Sequence, residues 1–390
     1  MTITTGLESV LEEPGILRSR GRLGLLYNQA SVDKNFQSAA ELLADAFPGQ
    51  VHILFGPQHG VYCTEQDNMR ETAHAIHPRL GLPIVSLYSD DRRPSRAVIE
   101  PLDAVVVDLQ DVGTRVYTFA TTAVYVMQAC AELDKEVIVL DRPNPINGVD
   151  VEGNISRADF ASFVAPYPLP MRHGMTMGEL MHYYNEAHGI GCKLTVVPMR
   201  GWERWMWFKD TGLPWVLPSP NMPTFDTAVV YPGQVIIEGT NLSEGRGTTK
   251  PFEFVGAPYV DPERVLSAID PAAIAGVRLR SIEFRPTFHK WNDCICKGFQ
   301  FHVVEPALFR PVRTSLALVS AIMKTHPADF SWASPPYEYV FDKLPIDVIM
   351  GDDSVREYLQ SGRPVAELED QWREELRRFD AARRPFLLYS

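Results

Sequence analysis

Short, uninterrupted apolar runs recur along the first 140 residues, and each stops at a polar or proline-rich cluster. Gly24–Tyr27 gives way to Asn28, and Val51–Phe55 to Gly56-Pro57-Gln58-His59-Gly60. Ile84–Leu87 leads into Tyr88, Ala104–Val107 into Asp108-Leu109-Gln110-Asp111, and Val137–Leu140 into Asp141-Arg142-Pro143-Asn144-Pro145. A strand covered on both faces has no polar side to alternate with, so it reads as a continuous aliphatic run of this kind. Stretches with helical spacing, such as Ala39–Ala46 and Thr121–Leu133, separate the runs. The alternation predicts an α/β fold with a Rossmann-like, doubly wound parallel sheet.

Open sheets of this type bind ligands beyond the carboxyl ends of their strands. Those ends carry Asn28, Gln58, His59, Asp108, Gln110, Asp111, Asp141, Arg142 and Asn144. Short polar clusters stiffened by proline suit a site better than a generic solvent loop does. The expectation is that Asn28, Gln58, Asp111 and Asn144 converge on one crevice.

Past Val151 the pattern loosens. In Met171–Leu180, Thr176 stands three residues before Glu179, which predicts a capping box at a helix start. Trp202, Trp205, Trp207 and Trp215 crowd one segment, fit either for packing or for stacking on a sugar ring. A glycine-rich loop, Glu238–Phe252, mixes acids, hydroxyls and Arg246, but lacks the spacing of a phosphate-binding P-loop. Beyond about Phe254 helices are expected over Val265–Ala275 and Pro311–Lys324, with strands near Arg278–Phe284 and Gly298–Val304. The division predicted is a catalytic domain over 1–235 and a smaller auxiliary α/β domain over 236–390. The charged stretch Val365–Arg384 reads as a solvated terminal helix.

Composition narrows the function. The 390 residues carry a net charge of −12, which disfavours nucleic acid or an anionic membrane as partner. No run approaches the ~18 apolar residues of a membrane span, and Met1–Gly15 shows no basic-then-apolar leader, so a cytoplasmic location is expected. Five cysteines in no framework spacing fit a reducing compartment. No G-x-G-x-x-G follows the first strand and no G-x-S-x-G elbow appears. Cys294-x-Cys296 near His289 and His302 is a poor zinc pattern, and Cys63 near His59 reads as a small buried residue before a nucleophile. No metal and no organic cofactor is expected. Carboxylates, amides and arginines remain, the groups that glycosidic bond cleavage uses.

Ordered motifs point the same way. Gly24–Asn28, Gly56–Gly60, Asp108–Tyr117, Asp141–Gly148, Arg172–Leu180, Pro218–Pro223, Glu238–Thr248, Phe288-x-Lys290 and Cys296-x-Gly298 run nearly end to end. In this set the chain resembles the NamZ/YbbC-type exo-β-N-acetylmuramidases, a glycoside hydrolase family. The resemblance implies a Rossmann-like domain carrying the active site and a C-terminal auxiliary domain. It also implies release of N-acetylmuramic acid from the non-reducing end of peptidoglycan fragments. One departure stands out: the family's strand-end motif is commonly G-P-E-H-G, and here the position of its glutamate is held by Gln58, which cannot exchange a proton as a carboxyl does.

Two readings follow. Another acid supplies the proton, from Glu65, Asp67 or Glu71 on the same loop, or from Asp111, with Glu244 a further candidate. Alternatively the protein binds muropeptide-like sugars without cleaving them, or acts on a different glycoside. The lactyl carboxylate of muramic acid calls for an arginine fork from Arg115, Arg142, Arg172 or Arg246. Asn28, Gln110, Asn144, Asn221 and Asn241 are the candidates for sugar hydroxyls and the acetamido group, and His59 for orienting a carboxylate or water.

Overall fold

The computed structural model of the chain describes residues 2–67, 69–89 and 91–390. In chain order the strands are β1 (Leu23–Tyr27), β2 (Val51–Gly56), β3 (Ala75–Ile76), β4 (Pro83–Ser86), β5 (Ala104–Asp108) and β6 (Glu136–Leu140). There follow β7 (Glu152–Ile155), β8 (Pro170–Arg172), β9 (Lys193–Val197), β10 (Phe254–Ala257), β11 (Val277–Phe284) and β12 (Cys296–Val303). A seven-stranded sheet has the order β3-β4-β2-β1-β5-β6-β9. Only the short edge strand β3 runs antiparallel to its neighbour. Counted along the chain, its parallel strands stand in the order 3-2-1-4-5-6 of the dinucleotide-binding folds, although no dinucleotide loop follows β1. This is the doubly wound α/β sheet expected, with a smaller α/β unit after it.

The five strands read from the sequence form within a residue or two of the expected bounds, for the reason given. β1 and β5 are buried at every position, so each residue gains from leaving water. β9 was not expected: its residues Lys193–Thr195 are exposed to half-buried, because β9 is the sheet edge. The helix over Ala39–Ala46 matches its expected span, and the next runs over Phe119–Ala131. Thr176 and Glu179 close the reciprocal capping box at the start of helix Met177–Ala187. In the second half the expected helix over Val265–Ala275 is shorter, Pro262–Ala268, followed by a separate 3₁₀ turn, Pro271–Ile274. Asp270 instead caps that turn through Ala272 N at 2.9 Å, and a proline at its start cannot continue the preceding helix. β10, β12 and β11 make a three-stranded antiparallel sheet covered by helices Phe225–Gln234 and Pro262–Ala268, and helix Pro311–Thr325 packs on both of those helices.

The two halves are not independent bodies. One apolar core runs from Val105 and Val107 of β5 through helix Phe119–Ala131 to Leu316 and Ile349 near the C-terminus. The terminal helix Val365–Arg383 then returns the chain to the first half, where the Tyr389 hydroxyl donates to Asp141 at 2.5 Å. Among the described residues no helix is long and apolar enough to cross a membrane.

Candidate active site

A narrow cavity, with about 30 Å³ of free room inside about 480 Å³ that counts its open mouth, lies beyond the carboxyl end of β2, between the sheet and the C-terminal half. Gln58 and His59 reach it from the turn after β2, and Tyr117–Phe119 from the start of helix Phe119–Ala131. Ser219 and Asn221 come from the proline-rich motif, Glu238 and Arg246 from the glycine-rich loop, and Tyr337 and Glu338 from a distant C-terminal turn.

Gln58 is fixed on both sides. Its Oε1 accepts a 2.5 Å hydrogen bond from the Thr118 hydroxyl, and its Nε2 donates to Glu338 Oε1 at 3.2 Å. The other oxygen of Glu338 accepts from the Tyr88 hydroxyl at 2.8 Å. Burial raises the Glu338 carboxyl above the usual carboxylate range, and the nearby Glu238 adds to the shift, against the opposing bonds from Tyr88 and Gln58. Glu338 and Tyr339 both hold left-handed backbone, with φ of 43° and 67°. Non-glycine residues adopt it at a cost of roughly 1–2 kcal/mol each, a strain that clusters at functional sites. His59 also has a positive φ, 70°, and its Nδ1 stands 2.5 Å from the Glu65 carbonyl. Burial lowers its pKa to about 4, so the ring is neutral. A carbonyl can only accept, so Nδ1 carries the proton and Nε2 is left as an acceptor.

Opposite stands a second charge cluster. Arg246 donates to Glu238 Oε1 from Nη2 at 2.6 Å and from Nε at 3.1 Å. The other Glu238 oxygen accepts from the Tyr337 hydroxyl at 2.6 Å. Behind Arg246, Glu244 is fully buried between Lys290 at 3.0 Å, His289 at 3.1 Å and Arg246 at 3.4 Å. Burial opposes its charge, but Lys290, the His289 hydrogen bond and Arg246 together outweigh it and hold the carboxyl far below the usual range. The loop follows this course because Gly245 and Gly247 sit at φ of 81° and 76°; a Cβ on Gly247 would meet the Phe288 backbone at 2.7 Å. The segment after β2 crosses the cavity mouth. The Gln66 carbonyl accepts from Asn221 Nδ2 at 2.6 Å and from Arg246 Nη1 at 3.2 Å.

Of the residues expected at the site, Gln58, His59, Asn221 and Arg246 line this cavity; the predicted convergence of Asn28, Gln58, Asp111 and Asn144 does not occur. The strand-end side chains other than those after β2 satisfy nearby backbone or close ion pairs at the sheet's switch point between β1 and β5. Asn28 donates to the Pro218 carbonyl at 2.7 Å, Asn144 to Met175 at 3.0 Å, and Gln110 to Asp111 and Pro143 at 2.7 and 2.8 Å. Arg142 forks onto Asp108 at 2.5 and 2.8 Å, and with Gln110 it lines a separate, smaller pocket beside Val32 and Phe208. Asp111 accepts from Gly113 N at 2.7 Å and faces His173 at 3.5 Å, buried outside the cavity wall.

The remaining candidates are also elsewhere. Arg115 donates to four carbonyls, those of Asn154, Leu169, Ile349 and Met350. Arg172 pairs with Asp150 at 3.1 Å and lies over Trp207. Asn241 bonds Asp329, Tyr259 and Ser331 within the C-terminal half. Asp67 is part of the segment over the mouth, half-buried, with Oδ1 unpartnered, and is not on the wall. Among the tryptophans, Trp202 packs on Tyr389 and Trp215 on Phe208, which leaves Trp205 exposed; none lines the cavity. Cys294 is exposed and Cys296 buried, and no metal-ligand cluster exists among the described residues.

Sequence reasoning missed Glu238, Tyr337 and Glu338. Glu238 opens the glycine-rich motif, and its spacing to Arg246 was the available signal. Glu338 lies in Pro335-Pro336-Tyr337-Glu338-Tyr339, where an acid set between two tyrosines after a proline pair marks a rigid, half-apolar turn.

The comparisons with known proteins agree with one another. The family model described as exo-beta-N-acetylmuramidase NamZ, N-terminal, matches residues 23–226, and its C-terminal counterpart matches residues 229–389. The chain is 38% identical over 387 residues to the peptidoglycan beta-N-acetylmuramidase NamZ of Bacillus subtilis (strain 168), covering 99% of this chain and 91% of that one. Two crystal structures of DUF1343 family proteins from Bacteroides fragilis NCTC 9343 share the fold. One has a TM-score of 0.88 at 31% identity, covering 100% of both chains. The other has a TM-score of 0.79 at 27% identity, covering 100% of this chain and 99% of the other.

Proposed function

The chain belongs to the exo-beta-N-acetylmuramidase NamZ family, and from that premise we propose that its cavity between the two halves releases N-acetylmuramic acid from the non-reducing end of peptidoglycan fragments. The observation that carries the assignment to this cavity is its pair of buried glutamates in unlike surroundings. Glu238 is ion-paired with Arg246, whereas Glu338 is held by neutral donors. Two carboxyls kept apart in this way are what an acid and an anion need to work on one glycosidic bond. A largely buried chamber receives the end of a glycan chain in preference to its middle, which suits exo action.

The lactyl carboxylate distinguishes muramic acid from glucosamine. Arg246 is the arginine on the wall, and one of its nitrogens holds the Gln66 carbonyl. In our reading the lactyl carboxylate replaces that carbonyl. Asn221 is released by the same exchange and turns to the acetamido group or a ring hydroxyl. His59 accepts a sugar hydroxyl through Nε2. The segment over the mouth therefore lifts on binding and closes behind the sugar. Water and carboxyl groups suffice for the bond cleavage itself.

The test is turnover of a chromogenic β-N-acetylmuramide beside the matching N-acetylglucosaminide, which lacks only the lactyl ether. The muramide is expected to be cleaved and preferred. Arg246→Lys keeps the charge but loses the fork, and should raise KM for the muramide by about 10-fold or more. A folded wild-type protein that cleaves neither muramides nor natural fragments contradicts the proposal.

A further inference from the structure

We infer that Glu338 is the general acid of this enzyme: the proton that a strand-end glutamate would supply comes instead from across the cavity, from a carboxyl that Gln58 positions. The inference rests on the reading of the cavity given above and deepens it.

Three geometric facts carry it. Gln58 and Glu338 are in direct contact at 3.2 Å, so the amide stands beside a carboxyl in the same cavity. Both sides of the contact are braced, Gln58 by Thr118 and Glu338 by Tyr88, so the pair is held and not a chance approach. Glu338 and its neighbour Tyr339 keep left-handed backbone at φ of 43° and 67°, the kind of strain that clusters at functional sites. A glutamate at position 58 would put two carboxyls within hydrogen-bonding distance, and such a pair titrates as a unit sharing one proton. With glutamine there, Glu338 is the one member of this pair that can carry the proton.

Other carboxyls fit the role less well. Glu244 is walled off by Lys290, His289 and Arg246 and remains ionised. Asp111 and Asp67 are not on the wall. Glu238 has one oxygen on Arg246 and the other on Tyr337, which suits an anion that stabilises positive charge on the sugar. Burial keeps Glu338 protonated to higher pH than an exposed glutamate, as an acid requires.

The step balances without a co-reactant other than water. The C1–oxygen bond breaks, its electron pair leaves with the glycosidic oxygen, and that oxygen takes the Glu338 proton. A water oxygen then bonds to C1, and its proton passes to the Glu338 carboxylate, which restores the acid.

Glu338→Gln preserves shape; its oxygen can still accept from Gln58, while its amide N–H donates to the Tyr88 oxygen in place of the bond that Glu338 now accepts. It should lower kcat on a natural disaccharide by roughly 10²–10⁴-fold, with KM within a few-fold and the melting temperature kept. A muramide with a dinitrophenyl leaving group departs without protonation, so its kcat/KM, which reads the bond-breaking step, should fall far less than that of the disaccharide, a contrast that a merely structural role would not produce. The alkaline limb of the pH profile should also vanish in the variant. Adding Gln58→Glu to Glu338→Gln returns a carboxyl to the contact, and is expected to recover part of the lost activity. If wild type cleaves muramides while Glu338→Gln stays within about 3-fold of it on the disaccharide with its alkaline limb intact, the assignment of Glu338 is wrong and the cavity reading stands. If the variant is equally impaired on both leaving groups, Glu338 is not the acid. If wild type cleaves nothing, cavity reading and assignment fail together.

Discussion

Arg246 shows how much of the site depends on single charges. It lies between Glu238 and Glu244 with its side chain almost wholly buried, and the two carboxylates raise its pKa against the effect of burial. Arg246→Met leaves both carboxylates short of a cation in low dielectric, and should destabilise the protein by about 3–5 kcal/mol in urea unfolding. Glu152 makes the opposite case. It is fully buried; burial is the largest cause that lifts its pKa to about 7, and one oxygen accepts from Arg313 N at 2.9 Å while the other has no partner. The folded value lies above the unfolded one, near 4.5, so the fold favours the protonated form. That contribution is complete below pH ~4.5 and is lost as pH rises through 7. The melting temperature of Glu152→Gln should therefore gain on wild type between pH 5 and pH 8; a difference independent of pH would refute the assigned protonation. Residues of this kind explain which parts of the site were legible. Gln58, His59, Asn221 and Arg246 could be found because each sits in a stiff polar motif. Asn28, Arg142 and Asn144 sit in equally stiff motifs, yet their partners are carbonyls and acids brought close only by folding, and no local pattern separates the two uses.

At the scale of elements, the proposed mechanism needs the segment between β2 and β3 to move. Its carbonyls accept hydrogen bonds: Glu65 from His59, Gln66 from Asn221 and Arg246, and Met69 from the Tyr339 hydroxyl at 3.4 Å. Few such bonds must break for it to lift. Asn221→Ala removes the shortest of those made by Gln66, and should raise hydrogen exchange across residues 61–72 several-fold while leaving β1 and β5 protected. Exchange that rises equally in the central strands would mean global loosening and no hinge. Strands were legible here because burial on both faces writes itself as an apolar run. β9 was not, since an edge strand carries Lys193 and Thr195 toward water. The turn bearing Glu338 was not either, because a loop's role follows from what it faces, and Glu338 faces a residue 280 positions away.

At the scale of the whole molecule, the walls of the proposed site come from both halves, so their docking shapes the cavity. Arg115 is the main tie: it is fully buried and joins Asn154 and Leu169 in the first half to Ile349 and Met350 in the second, and burial lowers its pKa to about 10. Arg115→Met orphans four buried carbonyls. It should cost several kcal/mol and reduce activity with it, whereas wild type should melt in a single calorimetric transition. Two separate wild-type transitions would show that the halves are uncoupled. The doubly wound sheet was readable from the sequence, but the smaller unit supplies Glu238, Arg246, Tyr337 and Glu338 to the cavity, more than the auxiliary part expected of it. That contribution depends on long-range packing, which strand periodicity does not encode. The most direct measurement is a crystal structure with N-acetylmuramic acid bound. The account predicts the ring in the cavity between the halves, the lactyl carboxylate on Arg246 and the anomeric carbon facing Glu338. A sugar seated at the switch point between β1 and β5, with its anomeric carbon toward Asp111, would contradict it.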